Sequence, residues 1–486
     1  MLHPIISKNM NVLMAAAEAA PFTPAGSFSE YITKLSTTLN AHGHQVSLIL
    51  PYYRSCHKLR NEGEKIRPTG LKLSVPVGNA SLSCDVLETR TADGLQVFFI
   101  RRDEFFDRSG IYGSDDEDYQ DNAARFIFFS RAVLELAKRA KPTPDIIHGH
   151  DWPCGLIPVF GKHSKLPFRQ FFSVHDLHFQ GNFWSHDFAL TQLPASYFSP
   201  EGVEFFGSMN FLKSGILFAD KVLFQSELLA HEAQTSGQGV GLEPLLSKQS
   251  AKLSGIPTGL EDSVWNPAKD TQITTTFSAR NISGKSFCRA ATLKAFDLLP
   301  QPQGPVIYYA PTSRNKKNAE AAQNFAAALD HLLVGDNRIL VLGTASDSST
   351  TAFTVAARKY KGKFTFLPEA TDEQKHPALA GSDIFLNFAL QANETDSLIK
   401  ALRYGLVPML LSRPGLFQFA TDVDSSEGNA FLSNANTPAA LADTCQRAEK
   451  LFQNPKAWNQ LVSKCLAKDF SWEATAKQHS DSYSSL

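Results

Sequence analysis

The stretch MNVLMAAAEAAPFTPAGSFSEYITKLSTTLNAHGHQVSLILP, Met10 to Pro51, decides the fold. Asn11 to Ala16 is a short apolar run that predicts a strand, and Val46 to Leu50 predicts another. Between them Ile32, Leu35 and Leu39 fall on one helical face. Ser27 followed by Glu30 has capping-box spacing and sets the helix start, and Gly43 ends it. Strand, loop, helix, strand is the repeating unit of a parallel α/β sheet. The loop, which holds Pro21, Pro24 and Gly26, then sits at the carboxyl end of the first strand, where open α/β sheets bind ligands. The helix behind it turns N–H groups toward that loop, an arrangement suited to an anion.

The same alternation runs outward from this unit. Leu95 to Ile100, Asp145 to His148 and Phe171 to Val174 read as strands. Asn122 to Ala140 reads as a helix with Phe126, Phe129, Val133 and Leu136 on one face. Near-continuous apolar strands of this kind are buried on both faces, which predicts a doubly wound parallel sheet. A second series follows residue 270. Gly304 to Ala310, Arg338 to Gly343, Lys363 to Leu367, Ile384 to Leu386 and Val407 to Leu411 are its strands, with helices at Ala319 to Leu333 and Asp396 to Tyr404.

A chain of 486 residues exceeds what one hydrophobic core supports. The expected architecture is α/β, with two Rossmann-like doubly wound domains facing a cleft. They span residues 1–265 and 266–457, and helices in 458–486 pack back toward the first. The polar segment Asn266 to Ile282 is the expected hinge. A net charge of −1 gives no polyanion signal, so no nucleic-acid partner is expected. The six cysteines are scattered without a C-x-x-C and read as reduced thiols with no metal-site spacing. No apolar run has the length of a membrane span, and the first one, cut by Glu18, reads as a buried strand rather than a signal peptide. The expected location is cytoplasmic.

Several longer stretches carry more specific information. They are EAAPFTPAGSFSE, DYQDNAARFIFFSRAVLEL (Asp118 to Leu136), DIIHGHDWPCGLIP (Asp145 to Pro158) and FFSVHDLHFQGNF (Phe171 to Phe183). Further along come GVEFFGSMNFLKSGILFADKV (Gly202 to Val222), KLSGIPTGLEDSVWNP (Lys252 to Pro267), ALRYG (Ala401 to Gly405) and DFSWE (Asp469 to Glu473). In this order they resemble the bacterial glycogen synthases and plant starch synthases almost end to end. The resemblance implies the two-domain GT-B architecture and a retaining glucosyltransferase. Such an enzyme moves glucose from a nucleotide sugar, usually ADP-glucose, onto an α-1,4-glucan, with no metal or other cofactor.

By that resemblance Asp151 of the HDW motif and His175 are the catalytic-cleft residues. Gly26 in the opening loop and Lys317 after the first strand of the second domain serve the donor phosphates. Other family positions are altered. Pro24 stands where the family has a Lys, Thr312 where it has an Arg, and Ala392 where it has its catalytic Glu. Asp176 and Thr258 replace two Asn. Two readings of these changes stand. The donor site is degenerate, so that activity is weak or lost, or it is relocated, with Arg314 and Glu394 serving from two residues past the vacated positions. A non-catalytic member that binds glucan or regulates a true synthase is the alternative function, and a homo-oligomer or association with a true synthase is the expected partnership beyond nucleotide sugar and glucan. His148, His150 and Asp151 mimic metal-ligand spacing, but the same H-x-H occurs in family members that use no metal. Phe205 and Phe206 read as core rather than as platforms for sugar.

Overall fold

The computed structural model describes residues 9–115, 117–300, 303–311, 316–333, 335–388, 390 and 395–486, with backbone alone at 316–318. The chain forms two compact units. One comprises the stretch up to Thr258 together with Trp472–Leu486, and the other is Gly259–Ser471.

The first unit is built on β1 (Asn11–Ala15), α1 (Ser27–Ala41), β2 (Gln45–Pro51), β3 (Arg67–Val77), β4 (Ala80–Arg90), β5 (Gln96–Arg101), α2 (Asn122–Ala137), β6 (Ile146–His150), β7 (Arg169–Val174), β8 (Lys221–Phe224) and β9 (Leu253–Gly255). Its nine strands lie in the order β9-β8-β7-β6-β1-β2-β5-β4-β3. The β3–β4 and β4–β5 pairs are antiparallel and the other pairs parallel. Alternation along β1 sorts its side chains between two cores. Val12 and Met14 pack with Ile32, Leu35 and Leu39 of α1. Leu13 and Ala15 belong to the core that holds Phe126, Phe129, Val133 and Leu136 of α2. The apolar stripes seen in the sequence are therefore the faces that cover the sheet. Because β1 lies between β2 and β6, the strand order reverses there, and the loops after β1 and β6 leave from one switch point.

The second unit holds β10 (Val306–Tyr309), α3 (Lys316–Leu332), β11 (Arg338–Leu342), β12 (Phe364–Leu367), β13 (Ile384–Asn387), α4 (Thr395–Arg403), β14 (Val407–Leu411), β15 (Phe431–Ser433) and α5 (Pro455–Leu466). The strands form one parallel sheet in the order β12-β11-β10-β13-β14-β15. Its switch point lies between β10 and β13.

Two boundaries differ from the sequence expectation. Trp265 stacks on His376 at 4.1 Å, and Asp270 accepts hydrogen bonds from His376 Nδ1 (2.7 Å) and from the Tyr404 hydroxyl. The start of the expected hinge is thus bound into the second core, and the chain passes between units at Thr258. Of the closing helices, α5 buries Trp458, Leu461 and Val462 in the second unit, with Trp458 stacked on Phe431. Only α6 (Trp472–Ser484) joins the first unit. It docks through polar contacts, from His44 Nε2 to Ser480 Oγ (2.9 Å) and from the Tyr483 hydroxyl to His148 Nδ1 (2.8 Å). All six cysteines are buried free thiols. No helix among the described residues is long and apolar enough to cross a membrane.

Candidate active site

Three neighbouring parallel strands of the first unit end in polar side chains. Pairing of His150 with Ser173 and of Val174 with Phe224 brings His150, His175 and Gln225 side by side at the carboxyl edge. Asp151 follows β6 with φ +57°, a left-handed conformation that costs a non-glycine residue on the order of 1 kcal/mol or more. It is held by its own N–H donating to Ser173 O (2.9 Å) and by Oδ1 accepting the His175 N–H (2.7 Å). Partial burial pushes the Asp151 carboxyl up to about 7, against the pull of backbone N–H groups from His175 and Asp176. At neutral pH this group is poised between acid and carboxylate.

His175 sits in a well-defined cage. Phe28 and Tyr31 of α1 meet its ring edge-on at 4.9 and 4.8 Å, and Trp472 of α6 packs behind Tyr31 at 5.5 Å. Nε2 lies 3.1 Å from His150 Nδ1, and Nδ1 lies 2.9 Å from the Gln225 amide nitrogen. Burial lowers the imidazole to about 3, so His175 is neutral throughout the ordinary pH range. Behind it His150 and His148 are fully buried, and burial also holds both well below the usual imidazole value. His148 meets the Tyr483 hydroxyl through Nδ1 and Ser173 Oγ through Nε2.

The loop after β1 contributes Glu18, which accepts a hydrogen bond from the Tyr112 hydroxyl (2.6 Å). Burial raises its carboxyl, with the Tyr112 bond opposing. Gly26 caps α1 in extended backbone, and a Cβ there would meet nothing within 4 Å, so the loop crest is open. The Gly26 N–H is spent on Ser29 Oγ (3.0 Å), whose hydroxyl faces the carbonyls of Pro24 and Gly26. Ser29, rather than Glu30, therefore closes the cap. Pro24 is exposed, and Glu30 places an acidic group in the first turn, which occupies the positive end of the helix.

In the second unit a cavity of about 460 Å³ opens at the carboxyl ends of β10 and β11. Ala310, Pro311, Gly343 and Thr344 line it with Asp396 and Lys400 of α4 and with Trp265. Lys400 pairs with Asp396 (2.7 Å) and lies 4.3 Å over the Trp265 ring. Lys317 is in the first turn of α3, which follows β10. Its side chain lies outside the described residues, as do Thr312, Arg314, Ala392 and Glu394. Arg413 donates to the carbonyl of Leu390. Among the described residues no group of three or more His, Cys, Asp or Glu is placed to hold a metal ion.

The family model for the starch synthase catalytic domain matches residues 11–248. The glycogen synthase of Opitutus terrae is 32% identical over 96% of this chain and 98% of its own. That of Koribacter versatilis is 31% identical over 97% of each. The chain belongs to the glycogen synthase and starch synthase family. Among solved structures, the catalytic domain of starch synthase IV from Arabidopsis thaliana, bound to ADP and acarbose, matches with a TM-score of 0.69. It is 24% identical and covers 98% of this chain and 99% of its own. At that identity it shows a shared fold.

Within the family frame, the structure brings Asp151 and His175 together and puts Gly26 on the loop that leaves the same switch point. Sequence reading missed Gln225, Tyr31, Phe28 and Glu18. Strand register alone could have flagged Gln225, since it follows β8 as His175 follows β7. Phe206, read as core, is 86% exposed in a tight turn with φ +47°.

Proposed function

We propose that the protein is a glycogen synthase-type glucosyltransferase that moves glucose from ADP-glucose to an α-1,4-glucan, with a donor site weakened at three charged positions. The observation that carries the reading is the Asp151–His175 pair, held at the sheet switch point of a chain related end to end to glycogen synthases. In this reading Asp151, with one oxygen fixed by the His175 N–H, takes a hydroxyl of the transferred sugar. His175 and Tyr31 wall the sugar off from water, which would otherwise hydrolyse the donor. The second-unit cavity is large enough for part of a nucleotide, and Lys375 and Lys400 on its wall supply positive charge for the diphosphate. Missing charge at Pro24, Thr312 and Ala392 lowers the rate. Loss of one preorganised charged group costs about 10²- to 10³-fold in such sites.

The test is ADP release from ADP-glucose with and without a glycogen primer, with UDP-glucose in parallel. Slow, primer-dependent ADP release is expected. No primer-dependent release at any protein concentration would sink the reading. The exposed, uncharged Pro24 favours a second reading, in which the protein binds glucan or a true synthase without turnover. Retention on a glycogen affinity gel in the absence of ADP release would establish that alternative.

A further inference from the structure

The row His150, His175, Gln225 crosses three strands with one hydrogen bond at each step, 3.1 Å and then 2.9 Å. Both ring nitrogens of His175 are therefore engaged inside the protein. The group facing Nδ1 is an amide nitrogen, which carries hydrogens and can only donate. Nδ1 must then accept. A neutral imidazole has one N–H, so the proton is on Nε2 and donates to His150 Nδ1. His150 in turn carries its proton on Nε2, an atom fully buried with no hydrogen-bond partner among the described residues. The direction of the whole row is set at its solvent end, where Gln225 is half-buried at the close of β8.

We propose that Gln225 is a positioning residue for the candidate site. It locks His175 as the Nε2–H tautomer and occupies the one acceptor nitrogen of the ring until a sugar hydroxyl displaces the amide. The lock follows from the hydrogen-bond row alone, whereas the displacement rests on the proposed function. Two further observations fit the lock. The cage of Phe28 and Tyr31 leaves the ring edge-packed, and His175 stays neutral, so the ring carries one proton and its neighbours select between the two tautomers.

The decisive experiment is long-range ¹H–¹⁵N spectroscopy of histidine-labelled protein, with His175 assigned by loss of its signals in His175→Asn. Wild type should show Nδ1 unprotonated and Nε2 protonated. In Gln225→Glu the carboxylate can only accept, so His175 should reverse to Nδ1–H. In Gln225→Met, which leaves Nδ1 without a donor, the two forms should mix. A wild-type Nδ1–H ring, or spectra unchanged in both variants, overturns the lock. Thermal melts verify that each variant is folded. The second arm is calorimetric titration with maltohexaose and with ADP-glucose. Gln225→Ala should bind about 2- to 10-fold more tightly than wild type, because no amide hydrogen bond has to be broken first. Equal or weaker binding overturns the displacement. If no variant binds either ligand, the displacement and the proposed function fail together, while the spectra still decide the lock.

Discussion

Asp151 combines a left-handed backbone with a carboxyl that burial raises to about 7. Its raised pKa has a definite sign for stability. Between about pH 4 and 7 the native state holds a proton that the unfolded chain has released, so this group favours folding at low pH and loses that contribution as pH rises through 7. Asp151→Asn keeps the shape and removes the charge. Its melting temperature should exceed that of wild type at pH 8 and differ little at pH 5, as scanning fluorimetry would show. Loss of ADP release in the same variant is expected on the proposed function. At this scale the motif residues were legible because D-W and V-H sit in long recognisable stretches. Tyr31, Gln225 and Glu18 were not, since each acts by packing or register that becomes apparent only when strands are ordered.

Helix α1 shows how local chemistry and tertiary position divide the work. The expected capping box used Ser27 and Glu30, yet the helix begins one residue earlier than that frame requires, with Gly26 at its N-cap. Ser29 supplies the oxygen for the Gly26 N–H. Ser29→Ala should cost about 1 kcal/mol and speed amide exchange at Gly26, measured by hydrogen–deuterium exchange. Packed against α1, α6 is held by buried polar contacts. Tyr483→Phe strips His148 Nδ1 of its partner in a fully buried setting and should cost about 1–3 kcal/mol in urea unfolding. The strands and helices expected from periodicity lie within a few residues of the observed ones, but β3, β4, β8, β9 and β15 were not among them. Assignment of α5 and α6 to different units was not readable either, because both are short amphipathic helices, and what each one covers is decided by the partner surface.

On the scale of the molecule, the buried imidazoles give the first unit an acid limit. His148, His150, His175 and His479 are all held below the ordinary imidazole value by burial, to about 3 for His175 and about 4 for His479. Below about pH 6.5 the unfolded chain gains protons there that the native state refuses, so stability falls with pH through that window. Four such groups outweigh the opposite trend of Asp151. The melting temperature of the first unit should drop from pH 7 to pH 5, read by circular dichroism. On the proposed function, the altered donor positions are spread over the sequences of both units. Pro24→Lys restores charge in one unit only, while Thr312 and Ala392 belong to the other. ADP release should stay within about 10-fold of wild type in that single variant, since grouped residues act non-additively. The α/β class and the two-unit plan were legible in the alternation of elements, but the crossing at Thr258 was hidden, since the polar segment expected to swing is pinned by Asp270.

The docking of α6 has a consequence in time. On a ribosome, every strand of the first unit emerges before the whole of Gly259–Ser471, and the helix that completes the unit emerges after it. Until then His44 lacks the Ser480 hydroxyl and His148 the Tyr483 hydroxyl, and the side of α1 that Trp472 covers at Tyr31 stands open to chaperones and proteases. The nascent protein must hold its leading part unfinished while the intervening part folds. Chains halted before Trp472 should therefore be cut within the first unit under conditions that spare the finished protein.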